Sequence, residues 1–252
     1  MNRLAGKIAI ITGAGRGLGK AIAKLFAAEG ASIAVLSRTP ENVESTVAEI
    51  TSAGGVAVGF TCDVSDLKAI DAAVNDIVAR FGGVDILVNN AHDTVNLTNK
   101  IMDITQEQLD SQMKTGPYAA LRFMQACQPH MKARGGGRII NMASGAGISG
   151  AITYGPYAMS KEAMRALTRA AAREWGKHDI TVNNVCPLGL TEGLELAISK
   201  GFSETPETPI PRYGSPDTDI APTILFLASD DAQYITGYSL MPDGGMHIDS
   251  AR

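Results

Sequence analysis

A tyrosine and a lysine stand four residues apart in the segment YGPYAMSK, which spans residues 154–161. If this segment is helical, the Tyr157 hydroxyl and the Lys161 ammonium lie one turn apart on the same face. A phenol ionises near pH 10 in water, and a neighbouring cation stabilises its phenolate form. The pair therefore indicates a group that can transfer a proton. Tyr154, the other tyrosine of the segment, has no lysine at this spacing.

A glycine-rich segment follows the first apolar run of the chain. It reads TGAGRGLG over residues 12–19, and an amphipathic segment continues to Glu29. Glycines let the backbone turn sharply and approach a pyrophosphate, and the N-terminus of a following helix presents free N–H groups to the anion. With a strand before it and a helix after it, the segment predicts a dinucleotide site rather than a plain tight turn.

The end of the second predicted strand bears on which dinucleotide would bind. An NAD site usually places a carboxylate there for the ribose 2′-OH, whereas this chain has Ser37 and Arg38. A hydroxyl and a guanidinium suit a 2′-phosphate, and Arg16 adds a cation from the glycine loop. These residues favour NADP(H). The alternatives are an NAD(H) preference and two arginines that are only solvated surface charges.

The composition describes a globular chain of one domain, residues 1–252, with 45% hydrophobic and 19% charged residues. A net charge of −4 weighs against nucleic acid or an anionic membrane as the main partner. No stretch approaches the roughly 20 apolar residues of a membrane helix. The cysteines Cys62, Cys127 and Cys186 are widely spaced, which favours reduced, buried thiols and a cytoplasmic location.

Short apolar runs rich in β-formers alternate with longer helical patterns along the whole chain. The predicted strands are residues 7–12, 32–36, 56–61, 84–89, 138–142, 181–186 and 238–241. Most of these runs are apolar on both faces, which is typical of a parallel sheet covered by helices on both sides. The sequence therefore predicts an α/β fold with a doubly wound parallel sheet.

Local signals also predict some helix starts and one long loop. Thr39 followed by Pro40, Ser65, and Thr105 with Gln108 at capping-box spacing each predict the beginning of a helix. Residues 188–216 contain several prolines and glycines around an apolar patch, and loops of this length are commonly functional. This segment is predicted to be a substrate lid.

Taken in order, the motifs resemble the short-chain dehydrogenase/reductase (SDR) family. They are TGAGRGLG, the NNA at residues 89–91, Ser144, the Tyr157-x-x-x-Lys161 pair and the ending ITGYSLMPDGG at 235–245. The resemblance covers nearly the whole chain. It implies a Rossmann-type fold, a nicotinamide cofactor, a small-molecule carbonyl or alcohol substrate, and a homo-oligomer that is often a tetramer.

The resemblance implies catalytic roles for Ser144, Tyr157 and Lys161. Tyr157 would donate a proton to a ketone oxygen, Lys161 would lower the pKa of Tyr157 and hold the nicotinamide ribose, and Ser144 would bind the substrate oxygen. The residues that would bind the cofactor are Gly13, Arg16, Gly17, Leu18, Gly19, Ser37, Arg38, Asp63, Val64, Asn90, Ala91, Tyr157, Lys161, Pro187 and Thr191. Each also has a purely structural alternative, such as an exposed helical pair for Tyr157 and Lys161.

Two positions near the expected site depart from the family pattern. His92 stands where relatives commonly have glycine, and it would bind substrate, titrate near neutral pH, or only reshape its loop. Gly116, followed by Pro117, stands where the family has an asparagine thought to hold a water behind the lysine. A kink is expected there. Our hypothesis is that a carbonyl freed by the kink, or a second water, completes the relay. No metal-ligand spacing links His92 to the other histidines.

A third departure lies at CPLG, residues 186–189, where one extra residue places Leu188 and Leu190 near the substrate. Together with His92 and Tyr154, these residues predict the substrate site. The apolar residues around it favour an apolar, cyclic or aromatic ketone or alcohol, although they could instead be core or subunit contacts. They are Ile148, Ile152, Leu190, Leu194, Ile198 and Phe202. The alternative functions are a non-catalytic NADP(H)-binding regulator or scaffold, and an enzyme of the same fold with other chemistry, such as dehydration or epimerisation.

Overall fold

Seven parallel strands form one sheet in the order β3-β2-β1-β4-β5-β6-β7. The computed structural model describes residues 2–95, 97–190, 194, 198 and 206–248. The strands are β1 (Ile8–Thr12), β2 (Ser32–Ser37), β3 (Val56–Thr61), β4 (Ile86–Asn89), β5 (Gly137–Met142), β6 (Ile180–Val185) and β7 (Ser239–Leu240). Each overlaps a predicted strand, so the predicted doubly wound α/β fold is confirmed.

Helices cover both faces of the sheet. They are α1 (Gly17–Ala28), α2 (Pro40–Ser52), α3 (Leu67–Phe81), α4 (Gln106–Met113), α5 (Ala119–Ala133), α6 (Gly145–Ser149), α7 (Gly155–Trp175) and α8 (Ala221–Ala228). On one face, α1, α2 and α8 pack against the sheet in a core that contains Phe26. On the other face, α3, α5 and α7 pack in a core that contains Phe123. None of the described helices combines the length and the apolar composition that a bilayer span requires.

The predicted helix starts are correct in two cases and wrong in one. The Thr105 hydroxyl accepts from the Gln108 N–H at 3.2 Å, and the Gln108 side chain accepts from the Thr105 N–H at 3.1 Å, which confirms the capping box. Thr39 precedes α2, with Pro40 as its first residue. Ser65, however, does not cap α3. The cap is Asp66, because its carboxylate reaches the N–H groups of the first turn, where an anion is also favoured by the helix dipole.

The three cysteines are buried, as the sequence predicts. Burial raises the pKa of Cys62 and of Cys186 to about 11, and it raises the pKa of Cys127 further. A thiol is the protonated, weakly nucleophilic form of cysteine. The cysteines therefore act as small core residues.

The order of the strands reverses between β1 and β4, which creates a crevice at the carboxyl edge of the sheet. The ends of the two strands are tied together there. The Thr12 hydroxyl accepts from the backbone N–H groups of Asn90 and Ala91, both at 2.9 Å, and the Asn90 amide donates to the Thr12 carbonyl at 3.0 Å. These bonds fix the loop after β1 and the loop after β4, which flank the crevice, in position relative to each other.

A row of polar side chains crosses the interior of the sheet beneath α7. Asn89, Asn141, Asn184 and Ser239 are paired in register on the neighbouring strands β4 to β7. Asn89 donates to Asn141 at 2.8 Å, Asn141 donates to Thr168 of α7 at 2.8 Å, and Thr168 donates to Asn184 at 2.8 Å. Asn184 then donates to Ser239 at 3.3 Å. This polar row fastens α7 to the sheet through hydrogen bonds that water cannot replace.

The polar row predicts a stability defect for Asn141→Ala. The substitution leaves the buried amide of Asn89 without its acceptor, and an unsatisfied buried group costs about 1–3 kcal/mol. Urea unfolding should show this loss in the free energy of unfolding. The matched control is Asn75→Ala on the exposed face of α3, which should change it by less than about 0.5 kcal/mol. Equal values for the two variants would contradict a stabilising role for the row.

Candidate active site

Tyr157 and Lys161 both lie on α7, so the shared helical face predicted from their spacing is confirmed. Lys161 is only 4% exposed. Its Nζ donates to the Met142 carbonyl at 2.8 Å and lies 5.4 Å from the centre of the Tyr157 ring. Burial lowers the pKa of Lys161 to about 8, because a buried ammonium loses its hydration. At neutral pH the lysine therefore still carries its charge.

The pKa of Tyr157 is raised rather than lowered. The main cause is burial of the phenol, and a hydrogen bond with Ser144 acts in the opposite direction. The net lowering expected from the resemblance is absent in this structure, because burial of the phenol outweighs the hydrogen bond with Ser144.

Ser144 follows β5 at the carboxyl edge of the sheet and caps the short helix α6. Its Oγ accepts from the Ala146 N–H at 3.2 Å, which fixes the side chain toward the site. Tyr154, just before α7, packs its ring against the edge of Tyr157 with centroids 5.9 Å apart. The structure thus brings together Ser144, Tyr157 and Lys161, the predicted catalytic residues, with Tyr154 beside them.

His92 also reaches this group. Its ring lies 5.3 Å from the Tyr157 ring in an edge-to-face contact, and its Nε2 lies 2.6 Å from the Gln112 side-chain oxygen. Burial, with the charge of Lys161 as a second cause, lowers the pKa of His92 to about 3. The alternative in which His92 titrates near neutral pH is therefore wrong for this structure. The imidazole is a neutral wall of the site.

The kink predicted at Gly116 is confirmed. Residues Lys114–Tyr118 form a π-helical segment between α4 and α5, and the backbone of Gly116 leaves the helical region at φ −96° and ψ −106°. Pro117 lacks the N–H that a continuous helix would need. The bend turns α4 toward the site and places Gly116 opposite His92. The relay hypothesis for this position stays a prediction.

The glycine loop has the geometry that a dinucleotide needs. Gly13 and Gly17 adopt positive φ angles of 65° and 51°, which favour glycine. A Cβ at Gly19 would lie 2.2 Å from the Gly13 carbonyl oxygen, so the close approach of α1 to the loop requires glycine. Leu18 packs inward on the core. The N-terminus of α1 therefore opens on a surface of backbone N–H groups suited to a pyrophosphate.

The residues proposed to select the cofactor lie beside this loop. A Cβ at Gly15 would lie 3.0 Å from the Ser37 hydroxyl oxygen, so Ser37 adjoins the loop directly. Arg16 and Arg38 are exposed. The pKa of Asp63 is lowered, mainly by hydrogen bonds from Ser65 and to a smaller extent by the charge of Arg38. Arg38 is thus close enough to the end of β3, where Asp63 and Val64 lie, for its charge to act on Asp63.

The remaining predicted residues lie at the ends of β4 and β6. Asn90 and Ala91 are fixed by Thr12 at the crevice. Pro187 follows β6, and the chain after it runs beside Gly214. There the Leu190 N–H donates to the Gly214 carbonyl at 2.8 Å, and the Gly214 N–H donates to the Leu188 carbonyl at 2.9 Å. These two bonds fix the first part of the predicted lid against the chain that returns from it.

The rest of the predicted lid is described only at single positions. Leu194 and Ile198 are among the described residues, and both are helical. Thr191 and Phe202 lie outside the described residues. The contacts that the sequence predicts for Thr191 with the cofactor and for Phe202 with the substrate therefore stay predictions.

One residue pair beside the site was not singled out from the sequence. His247 Nδ1 lies 2.8 Å from the carboxylate of Asp243, which is 5% exposed. A Cβ at Gly145 would lie 2.4 Å from His247 Cε1, so the ring packs against the first residue of α6. The four-residue spacing of Asp243 and His247 is the one signal in the sequence that points to this pair. Gln112, the partner of His92, had no sequence signal.

Comparison with known proteins decides the family. A family profile described as enoyl-(acyl carrier protein) reductase matches residues 13–247. A 12α-hydroxysteroid dehydrogenase from a Clostridium species is 35% identical over 252 residues, covering 96% of each chain. The chain belongs to the short-chain dehydrogenase/reductase family. It is therefore an oxidoreductase by family, as the resemblance implied.

Two further SDR relatives agree in length and shape. The 3-oxoacyl-(acyl-carrier-protein) reductase FabG of Staphylococcus aureus is 36% identical over 245 residues, which cover 96% of this chain and 98% of FabG. A 7α-hydroxysteroid dehydrogenase, solved in complex with NADH and 7-oxo glycochenodeoxycholic acid, superposes with a TM-score of 0.89 at 33% identity. That alignment covers 100% of this chain and 98% of the other.

The buried charge of Lys161 predicts a pH-dependent stability. Its folded pKa of about 8 lies below the value of about 10.4 in an unfolded chain, so the unfolded chain binds more protons between these values. Stability should therefore rise with pH. From about pH 7 to about pH 9.5, the unfolding free energy of the wild type minus that of Lys161→Met should increase by about 2 kcal/mol. Urea unfolding across this range measures it, and a flat difference would contradict the lowered pKa.

Proposed function

We propose that the protein is an NADP(H)-dependent oxidoreductase that interconverts a ketone and a secondary alcohol. The observation that carries the proposal is the cluster of Ser144, Tyr157 and Lys161 at the carboxyl edge of the sheet, beside a glycine loop shaped for a pyrophosphate. When bound, the nicotinamide supplies or accepts the hydride. The protein supplies the proton and the position of the reactants.

Tyr157 is the proposed proton donor for reduction and the proton acceptor for oxidation. Because burial raises its pKa, the phenol holds its proton until the substrate oxygen gains negative charge and becomes a stronger base. The Ser144 hydroxyl would donate a hydrogen bond to that oxygen. The buried ammonium of Lys161, charged at neutral pH, would then stabilise the phenolate that is left.

The preference for NADP(H) is proposed from the residues beside the glycine loop. Ser37 ends β2 and adjoins the loop, and the exposed guanidinium of Arg38 follows it. Ser37 thus takes the place of the carboxylate that would bind a ribose 2′-OH at the end of this strand. Arg16, also exposed, adds positive charge on the loop. A 2′-phosphate would meet two guanidinium groups and a hydroxyl.

An apolar cyclic or aromatic substrate is proposed from the walls of the site. Tyr154 and His92 present ring edges next to Tyr157, and the half-buried Leu188 and Leu190 run past the carboxyl end of β6. Two of the relatives named above are hydroxysteroid dehydrogenases, which supports this class. The third acts on 3-oxoacyl carriers by its name, so an acyl ketone is the competing substrate.

We further propose a homo-oligomer. Leu121 on α5 and Met159 on α7 are large apolar side chains that lie exposed on the surface of the single chain. Contact with a second copy would remove this apolar surface from water, which favours association.

The activity is tested by the loss of NADPH absorbance with cyclic, aromatic and 3-oxoacyl ketones. Tyr157→Phe removes the proton donor and should lower kcat by about 10²–10⁴-fold. The matched control is Tyr234→Phe, at a fully exposed tyrosine, which should leave kcat unchanged. Turnover that survives in Tyr157→Phe would contradict the proposed proton donor. Tight NADPH binding without turnover of any ketone would instead favour a binding protein.

The cofactor preference is tested with Arg38→Leu. Loss of a charge-assisted hydrogen bond costs about 1.5–3 kcal/mol, so KM for NADPH should rise by about 10-fold or more. KM for NADH should stay within about twofold, because NADH has no 2′-phosphate. The matched control, Arg173→Leu on the exposed side of α7, should change neither value. A wild-type protein that turns over faster with NADH would overturn the assignment.

A further inference from the structure

His92 and Gly116 come from separate segments and share one volume beside Tyr157. A Cβ built on Gly116 would lie 3.2 Å from His92 Cε1 and 3.3 Å from His92 Nδ1. These distances are tighter than ordinary van der Waals contact, so any side chain at position 116 would press on the imidazole. The ring fits because residue 116 is glycine.

The hydrogen bonds around His92 determine its tautomer. The Gln112 amide nitrogen donates to the Asp93 carbonyl at 3.3 Å, so the amide oxygen of Gln112 faces His92 and can only accept. His92 Nε2 therefore carries the proton and donates to Gln112. Because the pKa of His92 is lowered to about 3, the ring stays neutral and Nδ1 keeps a lone pair. Gln112 is fully buried, which holds this arrangement in place.

Nδ1 is the unusual atom of this ring. It is buried and receives no hydrogen bond from the part of the chain that the structure describes. A buried acceptor left without a donor is costly, and native proteins seldom retain one without a use. The ring that carries it lies 5.3 Å from the Tyr157 ring, close enough to Lys161 for its charge to act on the imidazole. The site thus contains a polar acceptor that the proposed reaction has not used.

We propose that His92 is a positioning residue for Tyr157, seated in the space that Gly116 leaves open. Its imidazole holds the Tyr157 ring by edge-to-face contact and shields that side of the ring from bulk solvent, while Nδ1 accepts a hydrogen bond from a single buried water beside the Tyr157 and Lys161 pair. We call His92 and Gly116 the reciprocal pair, because the ring at position 92 fits only when position 116 has no side chain. The inference deepens the proposed function and rests on it for its catalytic consequence.

A spectroscopic test needs no substrate. Ionisation of Tyr157 is followed at 295 nm, with the titration of the same background carrying Tyr157→Phe subtracted. In His92→Ala, water reaches the phenol, so the Tyr157 midpoint should fall by at least half a pH unit relative to wild type. The other titratable groups that act on the pair, Lys161, Asp93, Tyr154 and Cys186, are unchanged. His178→Ala, at the surface beyond α7, is the control and should not move the midpoint.

The reciprocal pair is tested by a double-mutant cycle of His92→Ala and Gly116→Ala. Gly116→Ala pushes the ring away from Tyr157 and should lower kcat about threefold or more. When His92 is already alanine, the same substitution should have less than half of that effect in log kcat. Any strain that alanine causes in the unusual backbone at position 116 is present in both backgrounds and cancels. KM for NADPH should stay within about twofold throughout. Additive effects would overturn the pairing.

The role of Nδ1 is tested with His92→Phe, which keeps a ring against Tyr157 but removes the Nδ1 acceptor together with the Nε2–H donor to Gln112. If the acceptor matters, kcat should fall about fivefold or more with a changed pH profile, while the 295 nm midpoint stays near that of wild type. An unchanged kcat and pH profile would overturn the water-binding role. Wild type without turnover of any ketone would refute the proposed function, yet the 295 nm titration would still decide whether His92 positions Tyr157.

Discussion

The docking of α7 on the sheet is the constraint on which the site depends. Thr168 is tied to Asn141 and Asn184 by buried hydrogen bonds, and such bonds are costly to break because water cannot replace them. Rotation of the helix about its axis would break both bonds. Lys161 stands seven residues before Thr168, about two turns, and Tyr157 stands one further turn away, so all three share a face. The polar row inside the sheet thus fixes which side of α7 faces the sheet, and with it the side from which Lys161 and Tyr157 project.

Burial of the site residues determines which of them are charged. It lowers the pKa of Lys161 to about 8 and of His92 to about 3, and it raises the pKa of Tyr157, so each group is pushed toward its neutral form. Of these three, Lys161 is the one that is charged at neutral pH. A phenol in this setting gives up its proton only to an oxygen that becomes more basic during the reaction. Proton transfer would therefore be coupled to reduction of the substrate rather than precede it.

Local signals in the sequence were enough to predict the fold and the grouping of Ser144, Tyr157 and Lys161. Apolar runs predicted the strands, and the spacing of Tyr157 and Lys161 predicted their shared face. What the sequence could not supply depends on tertiary burial: the direction of the Tyr157 pKa, for example, follows from how deeply the phenol lies. Ser65 and Asp66 are both acceptable caps by type, and only the path of the chain selects Asp66. The contact of His92 with Gly116 joins two segments that no local pattern connects.

That contact links His92 and Gly116, two of the positions at which the sequence departs from the pattern that the family resemblance implies. Protein interiors are close-packed, so the imidazole of His92 needs a neighbouring residue that is small. Gly116 is that residue, because it has no side chain to occupy the same space. The ring fills this space, but it does not offer the hydrogen bonds that an asparagine at position 116 would offer. An asparagine amide offers both donors and an acceptor, whereas the neutral imidazole, with Nε2–H bound to Gln112, offers only the Nδ1 lone pair. A water bound there must point one of its protons at His92, which leaves its oxygen free to accept from the side of Lys161.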